Sequence, residues 1–162
     1  MAIDQDASEI QLSLLDRLID HNPGEQKETR STVAQSLAQV RTMVRRDLEA
    51  LLNTRARCKL WPSSLTELEQ SMVGYGLPDR VISGMAAGDW RARLRQAIED
   101  AIRIYEPRLT AVNVKLVDDT QGFERMIRFR IEATLRIDEI PEVVTFDSQV
   151  ESATRVVLVA DR

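Results

Sequence analysis

Apolar positions along the chain change period once, and the change separates a helical part from an extended part. From Thr32 onward, Val33, Leu37, Val40, Val44, Leu48 and Leu51 recur at steps of four and three, which predicts a helix with one apolar stripe. Arg41 borders the stripe, Arg45 and Glu49 lie farther round, and Asn53 is a C-terminal stop followed by basic residues that suit the helix dipole. A second helix is expected from Pro62-Ser63-Ser64 through Leu65, Leu68 and Met72, closed by Gly74-Tyr75-Gly76-Leu77-Pro78. After a short helical turn around Val81 and Met85, Gly88-Asp89 offers an N-cap for a third helix. Its stripe is Trp90, Leu94, Ala97, Ile98, Ala101, Ile102 and Tyr105.

That third helix runs into Glu106-Pro107-Arg108, where proline lacks an N–H and biases the residue before it away from helical geometry. The helix should therefore end at about Tyr105 or Glu106, leaving an acid and a base at a rigid corner. Beyond the corner the period becomes two. Val112, Val114 and Leu116 alternate with Asn113 and Lys115, and Asp118-Asp119-Thr120-Gln121-Gly122 reads as a hairpin turn. The clearest strand follows, with Ile127, Phe129, Ile131, Ala133, Leu135 and Ile137 on one face and Arg128, Arg130, Glu132, Thr134 and Arg136 on the other. Two further strands are expected over residues 143–150 and 155–160. The fold class is α+β, with N-terminal helices packed on one face of a mainly antiparallel sheet of about four C-terminal strands.

Ahead of Thr32 the pattern weakens. Residues 1–11 form a polar tail, Leu12, Leu14, Leu15, Leu18 and Ile19 suit a short amphipathic helix, and His21-Asn22-Pro23-Gly24 breaks it before a polar linker. The short helix is either a flap on its own domain or a segment that binds another chain. Residues 1–31 thus form a tail, and residues 32–162 a single domain.

Composition narrows the class of protein. At 162 residues, 43% hydrophobic and 30% charged, the chain can bury a core without staples. Its single Cys58 cannot form an internal disulfide, so the cytosol is the expected compartment. The opening MAIDQDASEI has neither the basic nor the apolar stretch of a secretory signal, and no apolar run approaches the length of a membrane span. A net charge of -4 argues against general nucleic-acid affinity. Basic Arg41, Arg45, Arg46, Arg55, Arg57 and Lys59 contrast with acidic Asp138, Glu139, Glu142, Asp147 and Glu151, an asymmetry that suits either oriented docking or two solvated faces.

Catalytic chemistry finds little purchase. One His and one Cys, His21 and Cys58, in different segments make a metal site or a nucleophilic triad improbable, and the glycines sit singly at breaks rather than in a phosphate-binding loop. No cofactor is expected. A pair of carboxylates could hydrolyse a glycosidic bond, but Arg108 two residues from Glu106 would, if the two pair, favour the ionised form, the wrong one for a general acid. Glu106 and Arg108 are either docking groups for a partner or members of an internal Glu106–Arg108 or Glu106–Arg55 pair. Trp61 and Trp90 read as core anchors, and Tyr75 as turn packing.

Four ordered motifs carry a resemblance: VRRDLEALLNTR at residues 44–55, LWPSSL at 60–65, YGLPD at 75–79 and IRIYEPRL at 102–109. Together with SLLDRL at 13–18 they resemble the TssE family, small baseplate subunits of the bacterial type VI secretion system, grouped with the baseplate wedge proteins of contractile phage tails. The resemblance implies a non-enzymatic structural protein that assembles with TssF, TssG and TssK and helps initiate sheath polymerisation. Its implied place is the cytoplasmic face of an inner-membrane complex, without membrane insertion or nucleic acid. It implies that Glu106, Pro107 and Arg108 dock the subunit to the wedge core, and that the C-terminal strands meet sheath proteins. Asp47, Asn53 and Arg55 are either capping partners or contacts to TssF. The family's lysozyme-like label implies a peptidoglycan-cleaving enzyme as the alternative, and anti-adaptor proteins of similar fold imply a regulatory binding module.

Overall fold

Helical and extended periods resolve into eleven elements in the computed structural model, which describes residues 13–19, 24, 32–56, 62, 64–78, 89–117, 126–136, 141–151 and 156–161. In chain order they are α1 (Leu14–Leu18), α2 (Val33–Asn53), β1 (Arg55–Ala56), α3 (Thr66–Glu69), a 3-10 turn (Met72–Gly74), β2 (Leu77–Pro78), α4 (Trp90–Tyr105), β3 (Leu109–Val117), β4 (Met126–Leu135), β5 (Glu142–Glu151) and β6 (Val157–Asp161). The turns expected around residues 81–85 and 118–122 lie outside the described residues, as do Trp61, Cys58, Ile137 and Arg155. The chain divides into two units, Met1–Val44 and Arg45–Arg162, with the division falling inside α2.

In the first unit α1 presents Leu14, Leu15 and Leu18 to solvent. Helix α2 begins with a capping box. Thr32 Oγ1 accepts from the Gln35 amide, and Gln35 Oε1 accepts from the Thr32 amide, which satisfies two donors that a helix start leaves open. The stripe residues Val40 and Val44 are buried.

The second unit is built on a four-stranded antiparallel sheet of order β3-β4-β5-β6. Alternation decides its faces. Val112, Val114, Phe129, Ile131, Ala133, Leu135, Val144, Phe146, Val150, Val157 and Val159 are buried along one face. Each large side chain among them contributes about 1.5–3 kcal/mol of gross burial, an upper value before chain entropy. The opposite face carries cross-strand ion pairs, Lys115 Nζ to Glu132 at 2.7 Å and Arg130 Nε to Asp147 at 2.6 Å. Helix α4 packs beside β3 and buries Leu94, Ile98, Ala101 and Ile102. The architecture is α+β as the periods predict.

Local departures have local causes. The second expected helix is only α3 plus a 3-10 turn, because Ser71 takes over backbone partners: its hydroxyl donates to the Leu68 carbonyl and accepts from the Val73 amide. Asp89 occupies the N-cap position of α4, but its side chain makes no capping bond. Trp90 is partly exposed rather than a core anchor, with the Arg91 guanidinium 5.6 Å from its ring centroid. Strand β3 is bulged between Thr110 and Asn113, and Ala111 there has φ 51°. The extra residue lets Leu109 and Val112 face the same core. The two-residue strands β1 and β2 form a parallel pair that sequence periodicity does not reveal.

Candidate functional site

The junction between α4 and β3 is built by proline. Glu106 donates its amide to the Ile102 carbonyl, the last helical bond of α4, and its own carbonyl accepts from the Leu109 amide around Pro107. Arg108 then joins the sheet, its carbonyl accepting from the Arg136 amide at 2.8 Å. The backbone on both sides of Pro107 is thereby fixed, which fixes where the two charged side chains begin.

These side chains meet. Arg108 Nε donates to Glu106 Oε1 at 2.5 Å, and Nη2 donates to Glu106 Oε2 at 2.6 Å. The same Nη2 donates to Asp47 Oδ2 at 2.5 Å, a partner 61 positions away on α2. Asp47 is held in turn by Arg46, whose Nε and Nη2 donate to Oδ1 at 3.1 and 3.0 Å. Two carboxylates and two guanidiniums therefore meet in one cluster. Burial within it is uneven: Glu106 is only 4% exposed, whereas the side chains of Arg108 and Asp47 keep 29% and 34% of their surface. Glu106 is the hidden brace, and Arg108, Asp47 and exposed Pro107 form the surface.

Hydrogen bonding to Glu106 raises the Arg108 pKa still further above its ordinary value, against the lowering effect of burial, and Asp47 adds to the rise. Tyr75 flanks the cluster, its ring edge-on to Tyr105 with centroids 5.2 Å apart. Burial raises the Tyr75 pKa, and the charges of Asp47 and Glu106 push it in the same direction. Tyr105 anchors the pair by donating its hydroxyl to the Ser71 carbonyl at 3.1 Å.

The other candidate residues go elsewhere. Asn53 binds the backbone of β6, its Nδ2 donating to the Val157 carbonyl at 2.9 Å and its Oδ1 accepting from the Val157 amide at 2.8 Å. Arg45 donates to the next outward carbonyl, that of Val159, at 3.2 Å. Arg55 is exposed on β1, whose backbone pairs with Leu77. Sequence reasoning placed Tyr75 in turn packing and missed Arg46 at the cluster. It also missed Glu99, which is 5% exposed and accepts from the Val114 amide on β3 while bracketed by Arg95 and Arg103. The signal for Glu99 was an acid with a base four residues away on either side.

Both oxygens of Glu106 accept from Arg108. Among the described residues no group of three or more His, Cys, Asp or Glu could hold a metal ion, and no helix is long and apolar enough to cross a membrane.

A helix ending on a buried, arginine-clasped glutamate and feeding a four-stranded antiparallel sheet defines an α+β domain. The chain belongs to the baseplate wedge protein gp25 family, whose model matches residues 38–139 and so spans α2 from its second turn to the end of β4 and beyond. It is accordingly a structural baseplate component. A solved structure titled "The baseplate complex from the type VI secretion system" contains a similar chain, with 23% identity and a TM-score of 0.46, covering 68% of this chain and 93% of that one. No curated protein matches the chain.

Proposed function

We propose that this protein is the small wedge subunit of a type VI secretion baseplate, assembling with TssF, TssG and TssK and helping to start sheath polymerisation. Its place is the cytoplasm, at the face of an inner-membrane complex, and it performs no catalysis. Residues 32–162 act as its wedge domain. The observation that carries this reading is the family match over residues 38–139, which contains every member of the Asp47–Arg108–Glu106 cluster. The four ordered motifs support the secretion-system branch of the family.

Docking is by the corner. Glu106 sets the direction of Arg108, and Arg108, Pro107 and Asp47 meet the TssF–TssG core, with Asn53 and Arg55 close by on the chain. Sheath proteins meet the C-terminal strands, where residues 143–145 of β5 extend beyond the register of β6 and Val143 is 76% exposed. Such a strand edge can template pairing.

Co-purification with TssF and TssG tests the reading. Wild type is expected to be captured, and Arg108→Ala, still folded by its melting curve, to be captured at least about tenfold less, as loss of a charge-assisted contact requires. A folded variant captured like wild type would confine the corner to stability. Incubation with murein should release no reducing sugar, and release that vanishes in Glu106→Gln would overturn the structural reading.

A further inference from the structure

The docking reading leaves open what Arg108 grips, and the way its guanidinium is already occupied narrows the answer. A guanidinium has five N–H donors in a fixed fork. One edge, Nε with Nη2, is taken by the two oxygens of Glu106. The second N–H of Nη2 goes to Asp47. Among the described residues none accepts from Nη1, whose two N–H groups remain on a side chain that keeps 29% of its surface.

Bidentate gripping of a carboxylate needs two parallel N–H groups from two different nitrogens. Both such edges of Arg108 include Nη2, and Nη2 has no donor left. Charge gives a second, independent constraint. Glu106 and Asp47 both accept from Arg108, so its one positive charge already faces two carboxylates and a third would meet repulsion. The Tyr75 hydroxyl, which also has no acceptor among the described residues, adds another neutral donor beside the same cluster. The surface therefore offers donors to a neutral acceptor.

Resting on the docking reading above, we propose that Arg108 receives a pair of main-chain carbonyl oxygens from the wedge partner, of the kind left open at a helix C-terminus, and not a partner carboxylate. The last turn of a helix leaves four carbonyls without intrahelical donors and carries the negative end of the dipole. Two adjacent carbonyls match the two divergent N–H groups of one nitrogen. Glu106 and Asp47 act as positioning residues that keep Nη1 turned outward.

The test is the affinity of the full chain for the TssF–TssG complex across salt, for wild type, Arg108→Ala, Arg108→Lys and Asp47→Asn. A neutral acceptor predicts a dissociation constant that changes less than about threefold between about 0.05 and 0.5 M salt. It predicts that Arg108→Lys, which keeps the charge but loses the fork, binds about tenfold or more weakly. Asp47→Asn should bind equally or more weakly, because it removes a brace. A carboxylate acceptor predicts the reverse: tighter binding by Asp47→Asn and a steep loss with salt, which would overturn the inference while leaving the docking reading standing. Folded Arg108→Ala and Arg108→Lys that both bind like wild type would sink the docking reading itself, and this inference with it.

Discussion

Glu106 and Arg108 are two residues apart, yet they differ in what their removal exposes. Truncating Glu106 strands a guanidinium that is about two-thirds covered, and Asp47 alone remains to neutralise it. Breaking such a pair costs about 3 kcal/mol, so Glu106→Ala should lower unfolding free energy by about that amount in urea titration. Asp47→Asn, whose carboxylate is a third exposed, should cost about 1 kcal/mol or less. Tyr75 contributes a pH dependence on the alkaline side. Its folded pKa is raised above its unfolded value, so the fold favours the neutral phenol; that stability is fully present below about pH 10 and is lost as pH climbs through the folded value. Wild type should lose more melting temperature between about pH 8 and pH 11 than Tyr75→Phe does. Burial also raises Tyr105, so phenolate absorbance of the native protein should rise at higher pH than that of the denatured chain. At this scale the sequence offered the Glu106–Arg108 pair as one reading beside a partner contact and a Glu106–Arg55 pair, because proline holds both residues at one corner; the structure contains the Glu106–Arg108 pair. Asp47 and Tyr75 could not be joined to it, since nothing in local spacing encodes a contact across 61 positions.

Elements were legible where burial imposes a period and illegible where a single backbone contact decides. Strands β4 and β5 alternate cleanly because one face is buried and the other solvated. The bulge in β3 had a trace in the sequence: Leu109 is out of phase with Val112, Val114 and Leu116, and one extra residue restores the phase. The β1–β2 pair had none, because it depends on close approach of two backbones. Gly76 makes that approach possible, with φ 110° and no Cβ to collide with the Thr54 carbonyl, which accepts from Leu77 at 2.8 Å. Gly76→Ala should destabilise by about 2 kcal/mol or more, measured by chemical denaturation. Asn53 shows the same limit in another form. A sequence reading makes it a helix stop or a partner contact, whereas its amide supplies both hydrogen bonds that β6 needs at Val157. Asn53→Ala should cost about 1–3 kcal/mol, and the Val157 amide should exchange with solvent faster than its neighbours in β6.

Four strands in a row have two outer edges, and in the sheet of the second unit both are met by side chains from helices. On β3 the Val114 amide goes to Glu99 and the Val112 carbonyl receives Arg103 at 3.4 Å, both from α4. On β6 the Val157 and Val159 groups go to Asn53 and Arg45, from the part of α2 within the same unit. An uncovered edge invites pairing with another chain, so these polar clasps keep the sheet from adding strands of its own kind. Opening one edge leaves a chain that can pair only once. Opening both leaves a sheet that can propagate. Glu99→Ala and Asn53→Ala singly should therefore shift light-scattering mass toward at most a dimer of the wild-type species, whereas the double variant should form species that grow with concentration. Arg130→Ala, which alters the outer face on the inner strand β4 without touching either edge, should behave as wild type. If the double variant keeps wild-type mass while its Val114 and Val157 amides exchange rapidly, the edges are open and some other feature prevents association.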